Sequence, residues 1–98
     1  EIFIVKYEYN KQNKLIKHKD GNEFSFIIAL NDDYNGGGTY FTKTKKHIDL
    51  NIGDALIFSG QNEHKGIKIV SGIRYILVGF LNYNKIDYCE YMFEKNII

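Results

Sequence analysis

Two tripeptides in this sequence combine a histidine and an aspartate at a spacing that a metal site can use. They are His18-Lys19-Asp20 and His47-Ile48-Asp49. On an extended chain, residues two positions apart project from the same face, so either pair could direct an imidazole and a carboxylate at one metal ion. A third ligand has to come from elsewhere, and His64, at the start of a later strand candidate, can supply it if the two strand ends meet.

Two imidazoles and one carboxylate on one face of an octahedron leave the other positions open, an arrangement associated with non-haem Fe(II) oxygenases. An H-x-D tripeptide also arises by chance as a solvated histidine and aspartate in a charged loop. From these residues alone, both tripeptides and the solvated loop remain open interpretations.

Arg74 is the other residue whose type and position indicate chemistry. Strand alternation places it on the same side as Ile76 and Val78, in the interior. A buried guanidinium is costly without an anion, and its planar fork suits a carboxylate. An ion pair with Asp54 or Glu63 would satisfy it equally well.

The elements that must position these residues are predicted to be strands. Short runs rich in β-branched and aromatic residues alternate with turn signals, a pattern typical of an antiparallel sandwich or barrel. A short helix in the tail, 82–98, could cover the sheet. The predicted strands are 2–9, 15–16, 24–30, 39–44, 47–50, 55–58, 64–70 and 73–81, with a loop at 31–38, a tight connection at 51–54 and a turn at Ser71-Gly72.

Composition sets outer limits on the class of protein. The chain has 98 residues, of which 44% are hydrophobic and 15% aromatic, enough for one packed domain spanning 1–98. The net charge of +1 argues against binding dominated by a strong basic field, so nucleic acid is not an expected partner. The single cysteine, Cys89, excludes an internal disulfide. With no membrane-length apolar run and no signal peptide in the segment, we expect a soluble fragment of a longer protein.

Taken together, these segments resemble the 2-oxoglutarate- and Fe(II)-dependent dioxygenases, most closely the procollagen lysyl hydroxylases, with the related prolyl hydroxylases next. The resemblance covers about residues 3 to 81, and it rests on several short motifs that occur in the family's order. These motifs are His18-Lys19-Asp20, Phe26-Ile27-Ile28-Ala29-Leu30-Asn31, Gly36-Gly37-Gly38-Thr39-Tyr40-Phe41, Gly53-Asp54-Ala55-Leu56-Ile57-Phe58, His64-Lys65-Gly66 and Gly72-Ile73-Arg74-Tyr75-Ile76.

The resemblance implies an all-β, double-stranded β-helix (jelly-roll) core with iron at one open end. His18, Asp20 and His64 would hold the metal, and Arg74 would pair with the far carboxylate of 2-oxoglutarate. Tyr7 matches the family's tyrosine near the cosubstrate, although Tyr9 is an alternative. His47 would then be a surface residue. The triple glycine is predicted to be a hairpin loop with no phosphate-binding role.

The resemblance also implies a hydroxylase with Fe(II), 2-oxoglutarate and O2 as cofactor and cosubstrates, and with ascorbate as a further requirement in some members. The substrate would be a peptidyl lysine or proline in a collagen-like or other protein, and 2-oxoglutarate would be decarboxylated to succinate. A non-catalytic jelly-roll binding module or a pseudoenzyme would have the same strands. The outer face of the last strand, Ile73, Tyr75 and Leu77, is expected to be covered by the tail or to associate, for example in a homodimer.

Overall fold

All regular elements in the described part of the chain are β-strands, as predicted. The computed structural model describes residues 1–82, and no helix in this range is long and apolar enough to cross a membrane. The helix expected in the tail lies outside the described residues. The strands are β1 (Ile2–Glu8), β2 (Leu15–His18), β3 (Phe24–Ala29), β4 (Tyr34–Gly36), β5 (Thr39–Phe41), β6 (Lys46–Ile48), β7 (Ala55–Ser59), β8 (His64–Gly66) and β9 (Ile69–Leu81).

The strands form two antiparallel sheets. The larger sheet has the order β1-β9-β3-β7, and β4 pairs with the beginning of β9. The smaller sheet has the order β2-β8-β5-β6. With 13 residues, β9 is long enough to pair with β4 near Gly72 and then with both β1 and β3 further along. It therefore carries Arg74 through the middle of the larger sheet.

Side-chain alternation along the strands produces the core between the sheets. In β9, Arg74, Ile76 and Val78 are buried, whereas the intervening residues are less so, as predicted. Burial of each large aliphatic side chain stabilises the fold by about 1.5–3 kcal/mol. The buried cluster consists of Tyr7, Ile27, Phe58, Ile69, Ile76 and Val78.

The predicted turn at Ser71-Gly72 is wrong, because β9 runs through it and the break between the two strands lies at residues 67–68 instead. Gly72 has a φ of +81°, and a Cβ there would lie 2.2 Å from the backbone oxygen of Asp33. This glycine therefore permits the close approach of β4, which lies within the predicted loop 31–38. Local sequence does not distinguish a glycine that allows close packing from one that makes a turn.

Candidate metal centre

The pairing of β2 with β8 brings two histidines side by side. His18, the last residue of β2, lies opposite His64, the first residue of β8, and their ring centroids are 4.4 Å apart. Asp20 follows β2 by two residues and turns its carboxylate toward both rings. Its Oδ1 lies 3.2 Å from Nε2 of His18 and 3.5 Å from Nε2 of His64. One potential ligand atom from each of the three residues lies within 4.8 Å of the others.

The hydrogen bond made by Nδ1 of each histidine determines whether Nε2, the nitrogen that faces Asp20, can act as a metal ligand. Nδ1 of His18 lies 2.7 Å from the carbonyl oxygen of Ile16, and Nδ1 of His64 lies 2.8 Å from that of Asn62. A neutral ring that donates from Nδ1 to this carbonyl carries no hydrogen on Nε2. Each Nε2 then presents a lone pair toward the Asp20 carboxylate. Lone pairs converging on an anionic oxygen are unfavourable unless a cation or a proton lies among them, so the donor set fits a metal ion.

Asp20 is oriented by residues that the sequence did not single out. Ser25 on β3, which is fully buried, donates its Oγ hydrogen to Oδ2 of Asp20 at 2.5 Å. Asn22 is buried too, and its Nδ2 donates to Oγ of Ser25 at 3.2 Å and to the carbonyl of Phe24. With Oδ2 occupied, Oδ1 faces the histidines. Ser25 has the period-two spacing of the inward-facing residues of β3, which is the only sequence signal that could have indicated it.

His64 is more enclosed than His18. Its ring packs edge-on against Phe58 at 4.8 Å between centroids and lies 5.8 Å from Phe41. The His64 side chain is 7% exposed and that of His18 is 30% exposed. The centre is therefore walled by apolar rings on one side and approached by solvent from the His18 side.

Arg74 is buried, with 3% exposure, and has few partners. Its Nη1 donates to the carbonyl of Gly38 at 3.4 Å, and its Nε has no hydrogen-bond partner in the part of the chain that the structure describes. Within residues 1–82 no carboxylate forms an ion pair with it, so the alternative pairings with Asp54 and Glu63 are not what the structure contains. A buried guanidinium in this state retains its capacity to bind a carboxylate.

Tyr7 and Tyr9, the two alternatives near the cosubstrate, lie in different environments. Tyr7 is 2% exposed, pairs with Arg74 across β1 and β9, and has its ring centroid 5.3 Å from the guanidinium carbon. Tyr9 is 55% exposed. Burial raises the pKa of Tyr7 above its ordinary value of 10.0, and the nearby charge of Arg74 offsets part of that rise. Tyr7 is therefore a neutral phenol at physiological pH and adjoins Arg74.

The rival tripeptide lies apart from this centre. Nε2 of His47 is 3.3 Å from Oδ1 of Asp49, and it also lies 2.9 Å from the carbonyl oxygen of Gly37. Both side chains are largely exposed. No third histidine, cysteine or carboxylate joins this pair among the described residues.

Two spaces lie around Phe58, whose ring packs against His64. The first is a cavity of about 60 Å³ between the sheets, which reaches His18, Asp20, His64, Tyr7 and Gly66. The second is an open groove of about 670 Å³, whose lining includes Phe58 but none of the three cluster residues. The groove has an apolar floor that includes Phe41, Ile48 and Leu56, and its rim includes Lys19, Lys43, Lys46 and Glu63.

The chain is similar in sequence to proteins named as procollagen lysyl hydroxylases. It is 36% identical over 87 residues to the multifunctional procollagen lysine hydroxylase and glycosyltransferase of Caenorhabditis elegans, with 83% of the chain covered. It is 37% identical to a procollagen lysyl hydroxylase and glycosyltransferase of Acanthamoeba polyphaga mimivirus and 35% identical to procollagen-lysine,2-oxoglutarate 5-dioxygenase 1 of rat, with 82% covered in each case. The predicted resemblance is confirmed.

The chain spans only about a tenth of these relatives, namely 12%, 10% and 12% of their lengths in the same order. No protein-family model matches it. Among solved structures, it is similar to a cupin-2 domain containing protein from Shewanella frigidimarina, with a TM-score of 0.58 and 17% identity over 79% of this chain and 65% of the other. This similarity concerns the fold alone and confirms the jelly-roll core.

Proposed function

We propose that the chain forms the catalytic core of an Fe(II)- and 2-oxoglutarate-dependent protein hydroxylase. The observation that carries the proposal is that one potential ligand atom each from His18, Asp20 and His64 lies within 4.8 Å of the others. His18, Asp20 and His64 would hold Fe(II) there, and open coordination positions would remain for the cosubstrates. The relatives' names, which include procollagen-lysine,2-oxoglutarate 5-dioxygenase, support the same reaction class.

Arg74 and Tyr7 would hold the far carboxylate of 2-oxoglutarate. The unpartnered Nε of Arg74 and the neutral phenol of Tyr7 are both hydrogen-bond donors, which is what a carboxylate requires. The internal cavity has room for only about two water molecules. Binding of the cosubstrate therefore requires that the side chains lining the cavity move or that the sheets separate.

With Fe(II) bound, the centre would supply oxidative chemistry in which O2 and 2-oxoglutarate are consumed, succinate and carbon dioxide are released, and a substrate C–H bond is hydroxylated. The chain's own contribution is positioning. Ser25 fixes the carboxylate of Asp20, and the backbone carbonyls fix both imidazole tautomers. Phe41 and Phe58 keep water from one side of His64.

The groove beside the centre is suited to an extended peptide. Its apolar floor includes Phe41 and Phe58, whose rings pack against His64, so a peptide bound there would lie near the metal. The substrate we propose is a peptidyl lysine, or a proline, in a collagen-like or other extended segment. Lysine is preferred because the relatives' names specify procollagen lysine.

Succinate formation tests the proposed reaction. The protein is incubated with Fe(II), 2-oxoglutarate and ascorbate, with and without Gly-X-Lys and Gly-Pro peptides, and the peptides are analysed by mass spectrometry. We expect peptide-stimulated succinate and the added mass of one oxygen atom on lysine. Addition to proline alone would overturn the lysyl preference. Metal and cosubstrate binding without turnover in all cases would indicate the binding-module alternative.

A further inference from the structure

The exposed His47–Asp49 pair lies against the triple glycine. Nε2 of His47 lies 2.9 Å from the carbonyl oxygen of Gly37 and 3.3 Å from Oδ1 of Asp49. Because both partners are acceptors, this nitrogen must carry a hydrogen. The hydrogen bond connects β6 to the backbone of the glycine segment, and the Asp49 carboxylate holds the ring in place.

The inner side of the same segment contacts the guanidinium side chain. Gly38 supplies the carbonyl that accepts from Nη1 of Arg74 at 3.4 Å, and the same oxygen accepts from the backbone N–H of Ile67 at 2.9 Å. A Cβ on Gly37 would lie 3.4 Å from Cδ of Arg74 and 3.2 Å from the ring of Tyr34. The Tyr34 ring is itself 5.9 Å from the guanidinium carbon.

The two glycines make this layered contact possible. Gly37 and Gly38 are buried and have φ of +80° and +96°. A Cβ on Gly38 would lie 2.3 Å from Nε2 of His47 and 2.5 Å from Oδ1 of Asp49. The imidazole therefore packs directly on a backbone conformation that residues other than glycine rarely adopt, and the Arg74 side chain packs on the neighbouring Gly37. The segment is a thin spacer between a surface pair and a buried cation.

We infer that His47 is a positioning residue for Arg74, acting through the carbonyls of Gly37 and Gly38, and that it thereby sets the affinity for the 2-oxoglutarate carboxylate. This inference rests on the proposed function, since it takes Arg74 as the carboxylate-binding residue. Arg74 has Gly38 as its one hydrogen-bond acceptor within residues 1–82. Loss of the His47 hydrogen bond leaves the segment held only by the backbone bonds of Gly38 with Ile67 and of Gly37 with Lys68 among the described residues, so the guanidinium becomes less well oriented.

The test measures binding of 2-oxoglutarate by calorimetry under anaerobic conditions with Fe(II) present, for His47→Ala, His47→Gln, Arg74→Gln and the exposed surface control Asn51→Ala. Metal affinity and thermal stability are measured for each variant. We expect His47→Ala to weaken 2-oxoglutarate binding by roughly 3- to 10-fold, the effect of one lost hydrogen bond, with Fe(II) affinity unchanged. His47→Gln retains an N–H donor and should recover most of the loss, whereas Asn51→Ala should have no effect.

The outcomes separate this inference from the proposed function. If Arg74→Gln leaves 2-oxoglutarate affinity unchanged, the proposed role of Arg74 fails. If Arg74→Gln weakens binding but His47→Ala does not, only the positioning role of His47 is overturned. If His47→Ala lowers stability and His47→Gln restores stability without restoring affinity, the residue is merely structural. If His47→Ala abolishes Fe(II) binding, His47 is a ligand and the inference is wrong.

Discussion

At the scale of single residues, the centre depends on partners that fix the orientation of each ligand. Sequence reasoning could select His18, Asp20 and His64, because their types and order suit a metal and match a known pattern. It could not select Ser25 or Asn22, whose contacts with Asp20 arise only when β3 packs beside the loop after β2. A buried serine on a strand has no local feature that distinguishes it from a small core residue.

Ser25→Ala should weaken Fe(II) binding by roughly 10- to 100-fold, as is usual when a partner that orients a metal ligand is removed. The physical reason is that Oδ2 of Asp20 would lose its donor and the carboxylate could rotate away from the histidines. Metal titration by calorimetry measures the effect. Ser71→Ala is the matched control, because the Ser71 hydroxyl accepts from Nδ2 of Asn35 at the surface. Equal Fe(II) affinity in both variants would remove Ser25 from the metal centre.

The burial of Tyr7 predicts that the free energy of unfolding depends on pH in the alkaline range. Burial raises its pKa in the folded state above the ordinary value of 10.0, so above about pH 10 the unfolded chain loses this proton more readily than the folded chain. Ionisation of Tyr7 should therefore leave the free energy of unfolding unchanged at neutral pH and lower it as the pH rises through 10. Tyr7→Phe cannot ionise, so its denaturant-unfolding profile should fall less steeply. Parallel profiles for the two proteins above pH 10 would contradict the effect of burial.

At the scale of elements, the register of β2 and β8 and the loop after β2 create the centre. Gly60 holds that loop, since its carbonyl accepts from Gly21 N–H at 2.9 Å and its own N–H donates to the carbonyl of Glu23 at 3.1 Å. The strand pattern predicted most strands within a few residues, because alternation is a local signal. Register is not local: nothing in the sequence of β2 specifies that His18 lies opposite His64.

Gly60→Ala should weaken the metal centre indirectly, through the loop that carries Asp20. A Cβ there would lie 2.0 Å from the backbone oxygen of Asn22, and backbone cannot give way as a flexible side chain can. We expect a loss of about 1–3 kcal/mol in the free energy of unfolding, typical of overpacking, together with weaker Fe(II) binding because the Asp20 loop is displaced. Denaturant unfolding and metal titration measure the two effects.

Gly53→Ala is the control for this change. Its φ of +86° also makes a side chain unfavourable, at a cost of about 1–3 kcal/mol, but no atom lies within 4 Å of a Cβ at that position. It should lose stability and keep full Fe(II) affinity. If Gly60→Ala likewise keeps full affinity, Gly60 does not position Asp20.

At the scale of the whole molecule, the outer face of the larger sheet is apolar across four strands. Register aligns Ile4, Leu77, Ile28 and Ala55 in one row and Ile2, Gly79, Phe26 and Ile57 in the next. Ile2, Ile4 and Ile57 are 61%, 63% and 69% exposed within residues 1–82. The sequence predicted this face from the apolar residues on both sides of the last strand. What covers the face was not predictable, because a covering element need not be adjacent in sequence.

Ile57→Lys tests whether this face is covered in the 98-residue protein, either by the segment after residue 82 or by a second copy. If it is covered, burial of a lysine should lower the free energy of unfolding by about 1–3 kcal/mol. The control Ile52→Lys, at an exposed position in the connection before β7, should change it by less than about 0.5 kcal/mol. Light scattering then distinguishes a dimer from a covered monomer. Indistinguishable stabilities of the two variants would show that the face is open to water.

The central claim is that His18, Asp20 and His64 form one metal site and that the rival His47–Asp49 tripeptide does not. Anaerobic Fe(II) titration of the wild-type chain, His64→Ala and His47→Ala tests it most directly. The account predicts one Fe(II) per chain for the wild type and for His47→Ala, and loss of that binding in His64→Ala, because within residues 1–82 only the His18 cluster brings three donors within 4.8 Å. Loss of Fe(II) binding in His47→Ala to the same extent as in His64→Ala would contradict it.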